Sequence, residues 1–271
     1  MEAPLSIEIS HLPAPDRTGS HLPAPDRTNS HPPAPDRTGS HLPAPVVTPL
    51  GLYLRTPGDD EALALGLLYA EGVIRAAADV TSTAMTWDAD EASATLRVTL
   101  ASHVEFEPAA LARSGVASTA CGLCGRLSAS RPTGNEIGNQ FDELIPDFIF
   151  QLPQRLRDAQ AVFAKTGGLH AAAFFDRRGE LVDITEDVGR HNAVDKLIGR
   201  ALIAGAHPPA GDHILVVSGR VAYEIVQKAA MAGVQTLVAV GAPSSLAVQA
   251  ARDAGIQLIG FAKDGSFNRY G

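Results

Sequence analysis

HILVVSGRVAYEIVQKAAMAGVQTLVAVGAPSSLAVQAARDAGIQLIGF, residues 213–261, decides the fold. It holds three apolar runs, His213 to Val217, Thr236 to Val240 and Gln257 to Phe261, each separated from the next by one helical stretch of about a dozen residues. Strand, helix, strand, helix, strand in that rhythm predicts parallel strands joined by right-handed crossovers. The topology gives the polar punctuation a meaning. Ser218-Gly219-Arg220, Gly241-Ala242-Pro243 and Lys263-Asp264-Gly265 each follow the carboxyl end of a strand, the edge along which open α/β sheets bind ligands. A helix starting after Arg220 aims backbone N–H groups at that edge, where the guanidinium adds a bidentate contact to phosphate. A phosphate-bearing ligand is the expectation. The plainer alternative is that any parallel sheet needs small residues at its turns.

Upstream, Leu169 to Phe175 and Glu180 to Thr185 read as a hairpin across Asp176-Arg177-Arg178-Gly179, and Leu152 to Lys165 as one helix ending at Thr166-Gly167-Gly168. Val188 to Ala204 reads as a helix capped by Asp187. Its beginning, Glu186-Asp-Val-Gly-Arg-His-Asn-Ala-Val-Asp-Lys196, crowds Arg190, His191, Asn192, Asp195 and Lys196 together, with His191 and Asp195 one helical turn apart. This is either a site or a capped helix with a solvated ionic face. His170, entering an apolar strand after two glycines, is either a site residue or a satisfied core histidine.

The chain's two cysteines stand three apart, in Cys121-Gly122-Leu123-Cys124-Gly125. With no others there is no disulfide framework, and a lone C-x-x-C bracketed by glycine points to metal, redox or sulfur chemistry. A neighbouring thiol or the charge of Arg126 lowers a thiol pKa and favours the reactive thiolate. The bland reading is two small buried residues. A zinc site from Cys121, Cys124, His170 and His191 matches no compact finger, and the H-x-E with P-C-x-x-C signature of the zinc deaminases is missing.

Near the start, HLPAPDRTGS from His11 recurs from His21 and His31 and dissolves in a fourth copy from His41. Two or three prolines per decamer favour extended chain without a core. Removing it leaves Leu5 to Ile9 and Leu50 to Arg55 as a strand pair, so the repeat reads as an insertion in a hairpin loop. Thr56-Pro57-Gly58-Asp59 then caps a helix carrying Leu63, Leu67 and Ala70 on one face to about Glu71. Val80 to Trp87 and Thr95 to Leu100 read as strands, and Pro132 to about Pro146 as irregular, mobile chain. Four regions result: a first strand (1–10), the Pro-rich insertion expected to be disordered (11–45), an N-terminal α+β domain with a mobile C-x-x-C loop (46–150), and a C-terminal α/β domain (151–271).

At 271 residues and 45% hydrophobic, the chain can bury a sizeable core. No apolar run reaches the roughly 20 residues of a membrane span and no secretory signal is visible, so reduced thiols and a cytoplasmic location are expected. A net charge of −8 argues against a nucleic-acid polymer as partner.

Taken together, Cys121 to Gly125, Thr166-Gly-Gly-Leu-His-Ala171, Glu186 to Lys196, Ser218-Gly-Arg220 and the closing Gly260-Phe261 with Asn268-Arg-Tyr270 resemble the formate dehydrogenase accessory sulfurtransferase family (FdhD). The resemblance covers about residue 46 onward and the first strand. It implies an α/β fold, a cytidine-deaminase-like three-layer domain without the deaminase zinc site, beside the smaller N-terminal α+β domain. It implies a sulfurtransferase that takes sulfur from a cysteine desulfurase as a persulfide and passes it to the molybdenum cofactor, Mo-bis(molybdopterin guanine dinucleotide), for formate dehydrogenase. Cys121 then matches the persulfide-bearing residue and Cys124 the second thiol. Phe261, Ala262, Lys263, Asp264, Gly265 and Ser266 fall where the family binds the dinucleotide, and Ser218, Gly219, Arg220 and His191 are grouped with them. No metal of its own is implied, and a homodimer is. Lys263 stands where an arginine is common and Gly241 where a serine is common. The rival readings are a non-catalytic chaperone that binds and delivers the cofactor, and a thioredoxin-like dithiol reductase.

Overall fold

The computed structural model describes residues 2–13, 44–88, 93–108, 147–263 and 265–270. Four strands, β1 (Ala3–His11), β2 (Val46–Arg55), β3 (Val80–Trp87) and β4 (Ala94–Leu100), form a sheet in the order β2-β1-β4-β3. β1 and β2 are the expected antiparallel pair, with Leu5 opposite Tyr53 and His11 opposite Val46, while β1 runs parallel to β4. Alternation puts Leu5, Ile7 and Ile9 on the inner face, all wholly buried. His11 closes the pair. Its buried ring lies edge-on to Phe106, and its Nε2 is 3.2 Å from Thr48 Oγ1.

Most of the decamer repeat, 14–43, lies outside the described residues. Deleting 11–40 joins Ser10 to His41 and returns a histidine to the place of His11. The shortened chain is expected to melt close to the parent, because the smaller loop changes closure entropy by only about 2 kcal/mol, in the stabilising direction. Calorimetry checks this. A fall of more than about 5 °C would mean that the insertion packs on the fold.

α1 (Asp60–Ala70) starts after Asp59, whose φ is 55°, and not at a Thr56 cap. Nor is its apolar face a simple stripe. Ala62, Leu63, Ala64, Leu65, Leu68 and Tyr69 are all buried while Leu67 is only partly so, because the helix is enclosed between the first sheet and a later helix.

The expected helix from Leu152 to Lys165 is broken. α2 (Leu152–Ala159) ends at Gln160, and α3 (Phe163–Thr166) is a separate turn. The Glu186 carboxylate accepts from Val162 N at 2.8 Å and Phe163 N at 2.7 Å, supplying the start of α3 from another part of the chain. The Arg157 guanidinium lies 3.7 Å above the Phe163 ring across the break.

β5 (His170–Phe175) and β6 (Leu181–Asp187) form the predicted hairpin. α4 (Arg190–Ile203), β7 (Ile214–Val217), α5 (Tyr223–Met231), β8 (Thr236–Ala239), α6 (Ser245–Asp253) and β9 (Gln257–Lys263) follow in the expected rhythm, with β7, β8 and β9 parallel. β10 (Ser266–Arg269) was not anticipated. It pairs antiparallel with β9 and completes a six-stranded sheet ordered β10-β9-β8-β7-β5-β6. Both faces of this sheet are covered. Ala172, Phe174, Leu215, Val217, Leu237, Ala239 and Leu258 belong to a cluster that continues through the helices into the first sheet. Their neighbours Ala171, Ala173, Phe175, Ile214, Val216, Val238 and Ile259 pack with Leu152 and Leu156 of α2.

The two sheets are joined where α1 crosses α4. A Cβ on Gly66 would overlap the carbonyl group of Asp195, lying 2.6 Å from its carbon, and one on Gly199 would lie 2.6 Å from the carbonyl carbon of Ala62. Each helix thus presents a glycine to the other's backbone. Among the described residues no helix is long and apolar enough to cross a membrane.

Candidate functional site

The sheet order concentrates polar groups on one edge. β7, β8 and β9 end there; β5, antiparallel to β7, begins there with His170; and β6 ends there, feeding Gly189-Arg190-His191 at the start of α4. Ser218 is spent on the fold: its hydroxyl accepts from Ala171 N at 2.9 Å and its N–H donates to Ala171 O, extending the β5–β7 ladder. Gly219, by contrast, permits close approach. A Cβ there would be 3.2 Å from His170 Nδ1 and 3.7 Å from Arg190 Cβ. Gly241 N donates to Gly219 O, and a Cβ at Gly241 would fall 2.7 Å from that oxygen. This chain therefore has no room for a side chain at 241. Arg220 is exposed.

The next strand brings the second group of sequence-predicted residues. Phe261 N donates to Gly241 O, and the residue combines a φ of 53° with a ring left 46% exposed at the edge. Lys263, Gly265 and Ser266 are exposed in the β9–β10 hairpin, which turns at Gly265 with φ 71°. Ala262 points inward and is buried against the α2 side, so its side chain serves the core. Since β8 lies between β7 and β9, the Ser218 and Phe261 levels are two interstrand spacings apart, about 10 Å. Cys121, Cys124 and Asp264 lie outside the described residues.

The polar run Glu186–Lys196 is mostly architecture, and its ionic face is buried, not solvated. Asp187, wholly buried, is a hub. Its Oδ1 accepts from Gly189 N and Asn192 Nδ2, both at 2.9 Å, and its Oδ2 from Thr56 N at 3.0 Å, while Lys196 Nζ stands 2.7 Å away. Lys196 also donates to Thr56 O, Val188 N to Thr56 Oγ1, and Asn192 to Leu54 O. Asp187 and Thr56, expected as helix caps, instead tie the loop before α1 to the elbow before α4, which begins two residues later than predicted. Asp195 pairs with Lys228 of α5 at 2.6 Å, and burial pushes its carboxyl up to about 6 against the pull of that ammonium.

Among the described residues, Arg190, His191, His170 and Arg220 form no side-chain hydrogen bond and are left to meet a ligand. Burial, then Lys228, Arg190 and His170, push the His191 imidazole down to about 3, so it is neutral at pH 7. Its Nε2 is 4.0 Å from Glu224 Oε2. Burial, Arg190 and Arg220 likewise lower His170, against Asp187. Arg190 and His170 were not grouped with the dinucleotide-binding residues in the sequence reading, His170 being weighed only as a zinc ligand, an unassigned site residue or a core histidine. The signal was available: Gly189-Arg190 and Gly219-Arg220 are the same dipeptide, each just past a strand.

The depressed His191 has a consequence for acid stability. Below pH 6.5 the unfolded chain gains a proton at this residue that the native chain refuses until about pH 3, so stability falls as pH drops through that window. Partial exposure of the ring discounts the effect to about 2 kcal/mol. Asp195 acts oppositely, taking up its proton in the native state first as pH falls below about 6. Comparing His191→Gln with the parent isolates the histidine. The variant is expected to lose less stability between pH 6.5 and 4 in urea titrations. Parallel curves would show that His191 protonates freely in the native state.

The sequence pattern of the FdhD/NarQ family matches residues 48–271. The sulfur carrier protein FdhD of Streptomyces avermitilis is 46% identical over 230 residues, 82% of this chain and 81% of that one. The protein of the same description from Sulfurisphaera tokodaii is 42% identical over 219 residues, 81% of each chain. A solved structure described as a formate dehydrogenase accessory protein, from Desulfotalea psychrophila, superposes with a TM-score of 0.63 over 100% of this chain and 87% of that one, at 20% identity. The glycine-arginine edge, the elbow around Asp187 and the C-x-x-C thus sit in a chain that belongs to the FdhD/NarQ family.

Proposed function

We propose that this chain is a sulfur carrier in the maturation of formate dehydrogenase, acting as a sulfurtransferase. The observation that carries the reading is the pair Cys121 and Cys124, the only cysteines in a chain 46% identical to a sulfur carrier protein. The Cys121 thiolate attacks the outer sulfur of a cysteine desulfurase persulfide, and the donor cysteine leaves as thiolate. Attack of Cys124 on Cys121 then frees the outer sulfur as hydrosulfide and leaves a disulfide, which a cellular thiol must reduce before the next cycle. The acceptor in this reading is Mo-bis(molybdopterin guanine dinucleotide), held as substrate along the edge formed by Ser218, Gly219, Arg220, His191 and the β9–β10 hairpin. Phe261 offers a ring face, and Arg220 and Lys263 offer charges for phosphate. Lysine in place of arginine gives a point charge, not a fork, and weakens that contact. A cytidine-deaminase-like arrangement, a homodimer and a cytoplasmic setting belong to the same proposal.

Intact mass after incubation with a cysteine desulfurase and cysteine tests it. A gain of one sulfur is expected. No gain, with the cofactor still bound, favours the delivery chaperone.

A further inference from the structure

We propose that Arg190 and Arg220 together form the diphosphate-binding part of the edge site, with His170 as its wall. The identity of the ligand rests on the cofactor reading above; the two added residues rest on geometry. Arg190 follows β6 and Arg220 follows β7, with only β5 between those strands, and His170 is the first residue of β5. Gly219 leaves the space between them open: a Cβ there would lie 3.2 Å from the His170 Nδ1 and 3.7 Å from Arg190 Cβ.

Among the described residues neither guanidinium forms a hydrogen bond or ion pair, and Arg190 Nε is buried without an acceptor. The other charges near them are Glu224 of α5, Lys228 of α5 and Asp187 at the end of β6. Burial first and Arg220 second make Arg190 easier to deprotonate, with Glu224 opposing. Two cations held together, with Glu224 the one carboxylate acting on Arg190, cost stability, and an anion that takes two forks removes the cost. A diphosphate carries enough charge and enough oxygens for both. A singly charged persulfide does not.

Titration calorimetry of the full chain with inorganic pyrophosphate tests the proposal. The parent is expected to bind, Arg190→Gln to bind at least about tenfold more weakly, and Arg190→Lys to fall between them. Arg252→Gln, the same charge change in the last turn of α6 at the opposite end of the sheet, is expected to bind as the parent does. Without ligand, Arg190→Gln is expected to melt at or above the parent temperature, since it relieves the repulsion; a structural arginine would lower it. Equal pyrophosphate affinity in Arg190→Gln and parent, no binding by the parent, or melting of the variant well below the parent overturns the proposal. Sulfur loading at Cys121 is read separately, so failure of the carrier reading and failure of this one are distinct results.

Discussion

Gly66→Ala is expected to destabilise the chain by at least about 3 kcal/mol, and Gly199→Ala by a similar amount. Helix propensity alone predicts the reverse, because alanine in a helix interior is favoured over glycine by about 1 kcal/mol. The crossing of α1 and α4 decides the sign. At both positions the added methyl meets the partner's backbone, within 2.6 Å of a carbonyl carbon, and a backbone cannot rotate aside as a side chain does. The helices would have to separate, opening the cluster that joins the two sheets and straining the Asp195–Lys228 pair beside it. Urea denaturation followed by circular dichroism reads the effect. A variant as stable as the parent would mean that the helices do not approach this closely.

Cys121→Ala is expected to abolish sulfur loading and formate dehydrogenase activation, whereas Cys124→Ala should still load sulfur and fail at release. The asymmetry follows from the two roles: one sulfur accepts the sulfane atom, and the other displaces it. A shared structural metal would make both substitutions destabilising, since losing either ligand removes much of the metal's contribution to folding. Persulfide labelling and thermal melts of the two variants, measured side by side, separate the cases. Loading in Cys121→Ala equal to that of the parent would sink the assignment.

The regular parts of the fold were legible because they obey local periodicity. The apolar runs at 214–217, 236–239 and 257–263, spaced by helices, read directly as a parallel sheet, and alternation marked β1, β3 and β4 within a residue or two. What was hidden depended on distant partners. Asp187 and Thr56 have the chemistry of helix caps, but buried charges need several partners at once, and they found them in each other's loops. Glu186 starts α3 from 23 residues away, which no window over 152–165 contains. β10 had a local signal that was passed over: Asp264-Gly265 between Phe261 and Phe267 is the dipeptide of tight hairpins. For the site, glycine followed by arginine after a strand was visible for Ser218-Gly219-Arg220 and obscured for Gly189-Arg190 by the polar residues around it, most of which are structural.

The seat of His11 between Phe106 and Thr48 bears on how this gene can drift. Every decamer begins with histidine after a serine, at Ser10-His11, Ser20-His21, Ser30-His31 and Ser40-His41. Loss or gain of whole units restores the same two residues at the end of β1, so the seat is filled whatever the copy number. A deletion from residue 11 of any other length puts another residue of the decamer, such as leucine, proline, alanine or aspartate, into the seat. The strand end thus works as a reading frame for the repeat: only length changes in steps of one unit keep the histidine in its seat.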